Sequence, residues 1–223
     1  MRPYVYLMAA VTIDGRIASR SGYSRLSCPH DLKRLHAVRA AVDAVMVGAN
    51  TAIVDNPRLT VRYVEGRNPI RVLIDGALRV PTTLRIFDNS APTVVYTSRR
   101  APIEKVEDLK KKNVEIVVLG EERVDPLDVL RDLHKRNVKK ILLEGGGRTN
   151  WEFLKNCLVD ELIITVTPYA FGNGVSLLEG EGYQSTEDAP FDLELAGVKL
   201  CECGREVVLT YRLRCKNKFT QNI

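Results

Sequence analysis

Two stretches of this chain hold residue types at spacings that suit anion and ribose binding. In Leu142-Leu143-Glu144-Gly145-Gly146-Gly147-Arg148-Thr149-Asn150-Trp151 an apolar run meets three glycines and then a helical pattern. Glycines let backbone N–H groups approach an anion closely, and the following helix offers the positive end of its dipole, so a phosphate or pyrophosphate is the expected guest. The spaced glycines of the dinucleotide fingerprint and the Gly-Lys-Ser ending of a P-loop are both absent. A tight strand-to-helix turn accounts for the same glycines without a ligand. Glu144, at the strand end, either faces that ligand or is a solvated carboxylate.

The second stretch runs Val47-Gly48-Ala49-Asn50-Thr51-Ala52-Ile53-Val54-Asp55-Asn56-Pro57-Arg58-Leu59-Thr60-Val61-Arg62. Thr51 and Asp55 stand four residues apart, so a short helix projects both toward one ligand, where hydroxyl and carboxylate suit a ribose or an amide. A helix cap or Asx-turn before Pro57 explains the pair as well. Arg39 and Arg62 are candidate phosphate clamps, because guanidinium forks bind phosphate bidentately, or else members of surface ion pairs. The Asp14-Gly15 turn between Val11 and Ala18 can lie over a bound ligand, although such turns are common. His30 and His36 share one helix and His134 sits among lysines and arginines, with no second ligand type at helical spacing. Cys201-Glu202-Cys203 puts two thiols on one strand face, but no further pair or histidine lies near in sequence to complete a zinc site. These cysteines therefore read as core or half-buried, and no metal is assigned.

The elements that must position these groups alternate. Tyr4–Val11, Ala44–Val47, Ile70–Ile74, Thr93–Thr97, Glu115–Leu119 and Lys140–Leu143 read as strands, several apolar throughout, as buried strands of a mostly parallel sheet are. Pro29–Val42 is helical with Ser27 as its cap and Leu32, Leu35 and Val38 on a common face. Glu104–Asn113, Pro126–Asn137 and Asn150–Leu158 are further helices, the second with proline in its first turn. Glu161–Thr167, Leu193–Leu200 and Glu206–Leu213 follow without intervening helices, so the sheet ends in antiparallel strands. The reading is an α/β fold with the ligand at the carboxyl ends of the strands. One domain is expected over residues 1–215, with a frayed tail over 216–223.

Composition agrees. The 223 residues are 45% hydrophobic and 27% charged, which excludes a disordered or collagen-like chain. The apolar start is short, is followed at once by Asp14 and Arg16 and has no cleavage signature, so a cytoplasmic protein is expected and no membrane span. Lys and Arg number 33 against 28 Asp and Glu, a net charge of +5 spread along the chain. With only 6% aromatics and no basic block, that excess fits an anionic small molecule and not nucleic acid. Five cysteines, an odd number in a chain too long for a disulfide scaffold, fit a reducing compartment.

Taken in order, Thr12-Ile13-Asp14-Gly15-Arg16-Ile17-Ala18, Gly22-Tyr23-Ser24, Val45-Met46-Val47-Gly48 with Thr51, Asp55-Asn56-Pro57-Arg58-Leu59-Thr60-Val61-Arg62, Asn68-Pro69-Ile70-Arg71-Val72, Leu143-Glu144-Gly145-Gly146 and Leu158-Val159-Asp160-Glu161-Leu162 resemble the riboflavin-biosynthesis pyrimidine reductases, which have the dihydrofolate reductase-like fold. The resemblance spans nearly the whole chain. It implies NADPH-dependent reduction of 2,5-diamino-6-ribosylamino-4(3H)-pyrimidinone 5′-phosphate to its ribitylamino counterpart, by hydride transfer to the anomeric carbon. Position by position it implies cofactor contacts at Ala10, Leu26, Thr51, Asp55, Gly76, Gly146, Gly147, Arg148, Thr149, Asn150, Trp151 and Glu152. It places the substrate against Ser24, Arg39, Leu59, Arg62 and Glu144, with Glu144 the candidate for handling a proton. Leu59 offers only backbone groups and packing. The family's assembly implies a homodimer, and the apolar terminal strands are the expected interface.

The bifunctional bacterial members carry a zinc deaminase segment ahead of this one, and its signature is absent here. The chain therefore resembles the stand-alone archaeal and fungal reductases, which act before deamination. Those bacterial enzymes also place a lysine where this chain has Met8, which removes lysine as a proton donor. Reduction of the deaminated pyrimidine, a dihydrofolate reductase with Asp31 as the acid of its first helix, and a nucleotide-binding module without turnover remain as alternatives, and NADH as an alternative cofactor.

Overall fold

The computed structural model describes residues 1–216. Nine strands form one sheet in the order β10-β11-β8-β1-β7-β3-β4-β5-β6, and a two-stranded ribbon, β2-β9, stands apart from it. β1 (Tyr4–Val11), β3 (Ala44–Gly48), β4 (Ile70–Ile74), β5 (Thr93–Thr97), β6 (Glu115–Val118), β7 (Lys140–Leu143) and β8 (Glu161–Val166) pair in parallel. β11 (Val207–Cys215) runs antiparallel to β8, and β10 (Phe191–Leu200) antiparallel to β11. The expected parallel sheet with an antiparallel close is therefore present.

Every residue of β3 and β5 is buried, because helices cover both faces of the sheet, and that is why those strands are apolar without alternation. One core layer gathers Leu7, Met46, Val72, Leu130 and Phe153; the other gathers Val45, Leu59, Leu73, Ile86 and Leu142. Neighbouring residues of one strand thus feed opposite layers, as Val45 and Met46 do. Cys157, just past the helix α5 (Gly147–Lys155), is bonded to Cys215 at the end of β11, which fastens that helix to the antiparallel strands. No helix among the described residues is long and apolar enough to cross a membrane.

Several boundaries differ from expectation for local reasons. Helix α1 (Pro29–Ala41) is capped by Cys28, whose Sγ accepts from the Asp31 amide at 3.4 Å, and not by Ser27. Its buried residues are Asp31, His36 and Arg39, whereas Leu32, Leu35 and Val38 are half-buried. Helix α5 starts at Gly147, three residues before Asn150, and glycine is required there because a Cβ would meet the Ser176 carbonyl oxygen at 2.4 Å. Helix α3 covers Ile103–Lys110 and α4 covers Pro126–Lys135, each ending before the last residues of the expected span. The ribbon of β2 (Arg16–Ser19) and β9 (Gly174–Ser176) gave no periodic signal, since it is three or four residues long and pairs across more than 150 residues of chain. Of the expected tail, Lys216 donates its amide to the Pro190 carbonyl at 2.8 Å; residues 217–223 lie outside the described residues.

Candidate active site

The parallel strands β1, β3, β4 and β7 all end on one edge of the sheet, where the chain must turn into helices or loops. A cavity of about 780 Å³ opens there, lined by Ala10 from β1, Gly48 from β3, Gly76 after β4 and Glu144 after β7. Helices α1, α2 (Ala49–Asp55) and α5 and the β2 turn enclose it, so both expected stretches meet at one site.

One end of the cavity is made of backbone. Gly48 donates to the Gly145 carbonyl at 2.9 Å, which lashes the end of β3 to the glycine turn. The approach is so close that a Cβ on Gly48 would lie 2.1 Å from Thr149 Oγ1, and one on Gly146 would lie 2.9 Å from Thr51 Oγ1. Thr51 Oγ1 accepts from the Gly146 amide at 2.8 Å, so its hydroxyl serves the turn itself. Gly146 caps α5, and Gly147, Arg148, Thr149 and Asn150 line the cavity at that helix's N-terminus. The first-turn amides of a helix have no partner within the helix, which makes this end a cradle for an anion. Asp55, one turn beyond Thr51, lines the rim and accepts from Ser24 Oγ at 2.7 Å. Loss of solvent around the Asp55 carboxylate raises its pKa more than the Ser24 bond lowers it.

The other end is made of charge. Arg39 reaches from the buried face of α1 to Glu144 with two parallel bonds, Nε to Oε1 and Nη2 to Oε2, both 2.6 Å. Their side chains are 6% and 12% exposed, and Glu144 lines the cavity while Arg39 lies behind it. Burial opposes charge on Arg39, but the Glu144 carboxylate outweighs that and holds the guanidinium pKa above its usual value. Arg39 Nη1 donates to the Thr60 carbonyl at 3.0 Å. Beside it, buried His36 accepts from the Arg62 amide at Nδ1, 2.8 Å. Burial, then the charges of Arg39 and Arg62, push the His36 pKa down to about 4. Neutral His36 then carries its proton on Nε2, so the 3.4 Å approach of Arg39 Nη1 is a contact between two donors and not a hydrogen bond.

The implied site residues divide. Ala10, Ser24, Thr51, Asp55, Gly76, Glu144 and Gly146 to Asn150 line the cavity. Leu26, Leu59, Arg39, Arg62, Trp151 and Glu152 do not. Leu59 is fully buried in the core with φ +52°, and Leu26 is 4% exposed. Trp151 is buried and donates Nε1–H to Glu181 at 2.8 Å, and Glu152 is exposed on the outer side of α5, paired with Lys155. Against the expectation of a free phosphate clamp, Arg39 is committed to Glu144. Arg62 remains exposed, its Nη1 on Thr60 Oγ1 at 2.9 Å.

Asp31, named in the sequence only as the acid of the alternative dihydrofolate reductase reading, is 2% exposed and lines the cavity. Its Oδ1 accepts from Thr165 Oγ1 and Arg34 Nη2, each at 2.7 Å. The one available signal was its break in the apolar face of α1. Met8 of β1 also lines the cavity.

A sheet in this order with a ligand cavity at its parallel edge defines the dihydrofolate reductase fold. The structure matches Enterococcus faecalis dihydrofolate reductase, solved with NADP(H), at a TM-score of 0.52 and 13% identity over 94% of this chain and 96% of that one, a likeness of fold alone. Residues 3–209 match the model of the RibD C-terminal domain, and the chain belongs to that family, the reductases of riboflavin biosynthesis. It is 40% identical over 219 residues to the 2,5-diamino-6-ribosylamino-4(3H)-pyrimidinone 5′-phosphate reductase of Methanothermobacter thermautotrophicus, covering 96% of this chain and 100% of the relative. It also matches the Thermotoga maritima deaminase/5-amino-6-(5-phosphoribosylamino)uracil reductase at 31% identity and a TM-score of 0.80. That match covers 96% of this chain but 57% of the longer bifunctional one.

Proposed function

We propose that this protein uses NADPH to reduce 2,5-diamino-6-ribosylamino-4(3H)-pyrimidinone 5′-phosphate to the ribitylamino product. The observation that carries the reading is Glu144: a carboxylate locked by Arg39 and open to the same cavity as the α5 amides. The glycine cradle, too tight for a Cβ at Gly48, suits a pyrophosphate. There Thr51 and Gly146 to Asn150 hold the cofactor, Asp55 takes a ribose or amide donor, and Ala10 and Gly76 supply walls. Leu26, Trp151 and Glu152 support that wall from outside the cavity. NADPH supplies the hydride. Arg20, Arg79 and Arg148 on the cavity wall favour its extra 2′-phosphate over NADH.

Arg62 anchors the substrate phosphate, Ser24 orients the ribose with Asp55, and Leu59 packs beneath. Reduction requires the ribose ring to open. The C1′–O4′ bond breaks and C1′=N forms, with the proton from that nitrogen passing through Glu144 to O4′. Once hydride reaches C1′, the nitrogen takes a proton from solvent and the ribityl chain is complete. Asp31 favours the undeaminated pyrimidine, because a carboxylate accepts from an amino group and repels the carbonyl that deamination leaves in its place.

A homodimer is part of the same reading. Leu193, Leu195, Val198 and Leu200 of edge strand β10 are 40%, 53%, 62% and 63% exposed. A bulge between Leu195 and Gly197 shifts the alternation by one residue, so all four stay on one face, opposite Leu213, Tyr211, Leu209 and Val207. An apolar edge of this kind needs a cover, and a second copy offers the same stripe. A monomeric mass in solution at micromolar concentration would rule it out.

The deciding experiment follows NADPH absorbance with the ribosylamino pyrimidine phosphate, its deaminated form and dihydrofolate in turn. Rapid oxidation with the first is expected. Turnover of dihydrofolate alone, or of none, overturns the assignment.

A further inference from the structure

The three cysteines outside the Cys157–Cys215 disulfide converge at one point, beside the N-terminus of α1 and outside the lining of the reductase cavity. Cys28 ends the loop before α1, and Cys201 opens the tight turn between β10 and β11 that contains Cys203, where Gly204, at φ +70°, donates to the Cys201 carbonyl at 2.8 Å. Cys28 Sγ and Cys201 Sγ lie 3.6 Å apart although 173 residues separate them. With Glu206 they form a group whose ligand atoms all lie within 4.8 Å of one another. Four ligands around zinc, with Zn–S near 2.3 Å, put sulfurs about 3.7 Å apart, close to the 3.6 Å between Cys28 and Cys201 Sγ.

Glu206 supplies the independent sign of a ligand. It is 2% exposed, its Oε1 accepts from the Cys28 amide at 2.8 Å, and its Oε2 is buried with no hydrogen-bond partner among the described residues. A buried carboxylate oxygen with nothing to accept from is costly, and a cation is what satisfies it. Arg34 offsets part of the negative charge, with Nη2 at 3.8 Å from Cys201 Sγ.

We propose that Cys28, Cys201, Cys203 and Glu206 bind a structural zinc ion. Thiolates select a soft divalent ion over magnesium or calcium, and four protein ligands leave no open position for catalysis. The ion pins the tip of the β10–β11 hairpin to the N-terminus of α1. Through Arg34, which also holds Asp31 at 2.7 Å, it steadies the wall of the reductase cavity. The sequence hid this site because its ligands come from opposite ends of the chain and the fourth is not a cysteine or histidine.

The test is metal analysis and Co²⁺ titration of the full-length protein, reduced and stripped of metal by a chelator. One equivalent of zinc as purified is expected, and one of Co²⁺ on titration, with intense tetrahedral d–d bands and near-ultraviolet thiolate charge transfer. Chelation should lower the Tm of the wild type and leave that of Cys203→Ser unchanged. Cys203 is half-buried, so its serine variant keeps the fold. Glu206→Gln retains an acceptor for the Cys28 amide and should weaken Co²⁺ binding by at least about tenfold. Weak octahedral spectra, undiminished binding by both variants, or a Cys28–Cys201 disulfide in a protein that takes up no metal after reduction would each overturn the proposal.

Discussion

The two ends of the cavity are built by opposite means. At the glycine turn, the chain approaches itself so closely at Gly48 and Gly146 that binding groups are mainly backbone amides, fixed once the strands and helices are in place. At the charged end, the groups are side chains from α1 and from the residue after β7, 105 residues apart, which hold one another by a buried bidentate ion pair. Amides at a helix start give shape and a modest positive field suited to any dinucleotide phosphate. A carboxylate held by a guanidinium gives one acceptor in one orientation, which is what discriminating chemistry requires. On the proposed assignment, the cofactor end should therefore respond to changes of space, and the substrate end to changes of charge.

Glu144→Gln tests that division hardest. Shape is kept but the proposed proton carrier is lost, so kcat should fall by about 10²- to 10⁴-fold while the NADPH Kd is unchanged. It also leaves Arg39 buried without its counter-ion, and breaking such a pair costs about 3–5 kcal/mol of stability, measurable by urea unfolding. An equal loss of NADPH affinity would mean the two ends are not separate. Arg62→Ala comes next. Losing a charged contact to phosphate should raise KM for the pyrimidine about 10- to 100-fold and leave that for NADPH alone. Equal changes in both constants would move Arg62 out of the substrate site.

Legibility followed the same division. The strands from Tyr4 to Val11, Ile70 to Ile74, Thr93 to Thr97 and Lys140 to Leu143 could be read to the residue, because a strand buried on both faces leaves a dense apolar run. The glycine turn and the Thr51/Asp55 spacing were legible because their partners are local. The burial of Asp31, His36 and Arg39 was not. They make the buried face of α1 polar, and a helix whose apolar residues are only half-buried gives no periodic sign of which side faces in. The Arg39–Glu144 pair and the Cys28–Cys201 approach are products of tertiary structure, and no local spacing encodes them.

Gly48→Ala probes the backbone end alone. The added methyl would stand 2.1 Å from Thr149 Oγ1, so the end of β3 or the start of α5 must shift. Overpacking of this kind costs about 1–3 kcal/mol, and NADPH affinity should fall about tenfold with the KM for the pyrimidine little changed. Adding Thr149→Ala removes the clashing oxygen and should restore most of the stability, a coupling that a double-mutant cycle reads directly. Additive losses would show that the cradle is not set by this contact.

The smallest effect belongs to His36, and its sign follows from its pKa, lowered from 6.5 to about 4 by burial and by the charges of Arg39 and Arg62. Between those values the unfolded chain binds a proton that the folded protein refuses, so stability contributed above pH 6.5 is lost as pH falls toward 4. His36→Asn keeps an acceptor for the Arg62 amide but cannot titrate. Its unfolding free energy should decline less steeply than the wild type's across that window, while carboxylate contributions common to both cancel in the difference. Parallel slopes would mean that His36 carries a proton in the folded state. It would then donate to Arg62's neighbourhood instead of accepting from its amide, and the arrangement that presents Arg62 to a phosphate would have to be rebuilt.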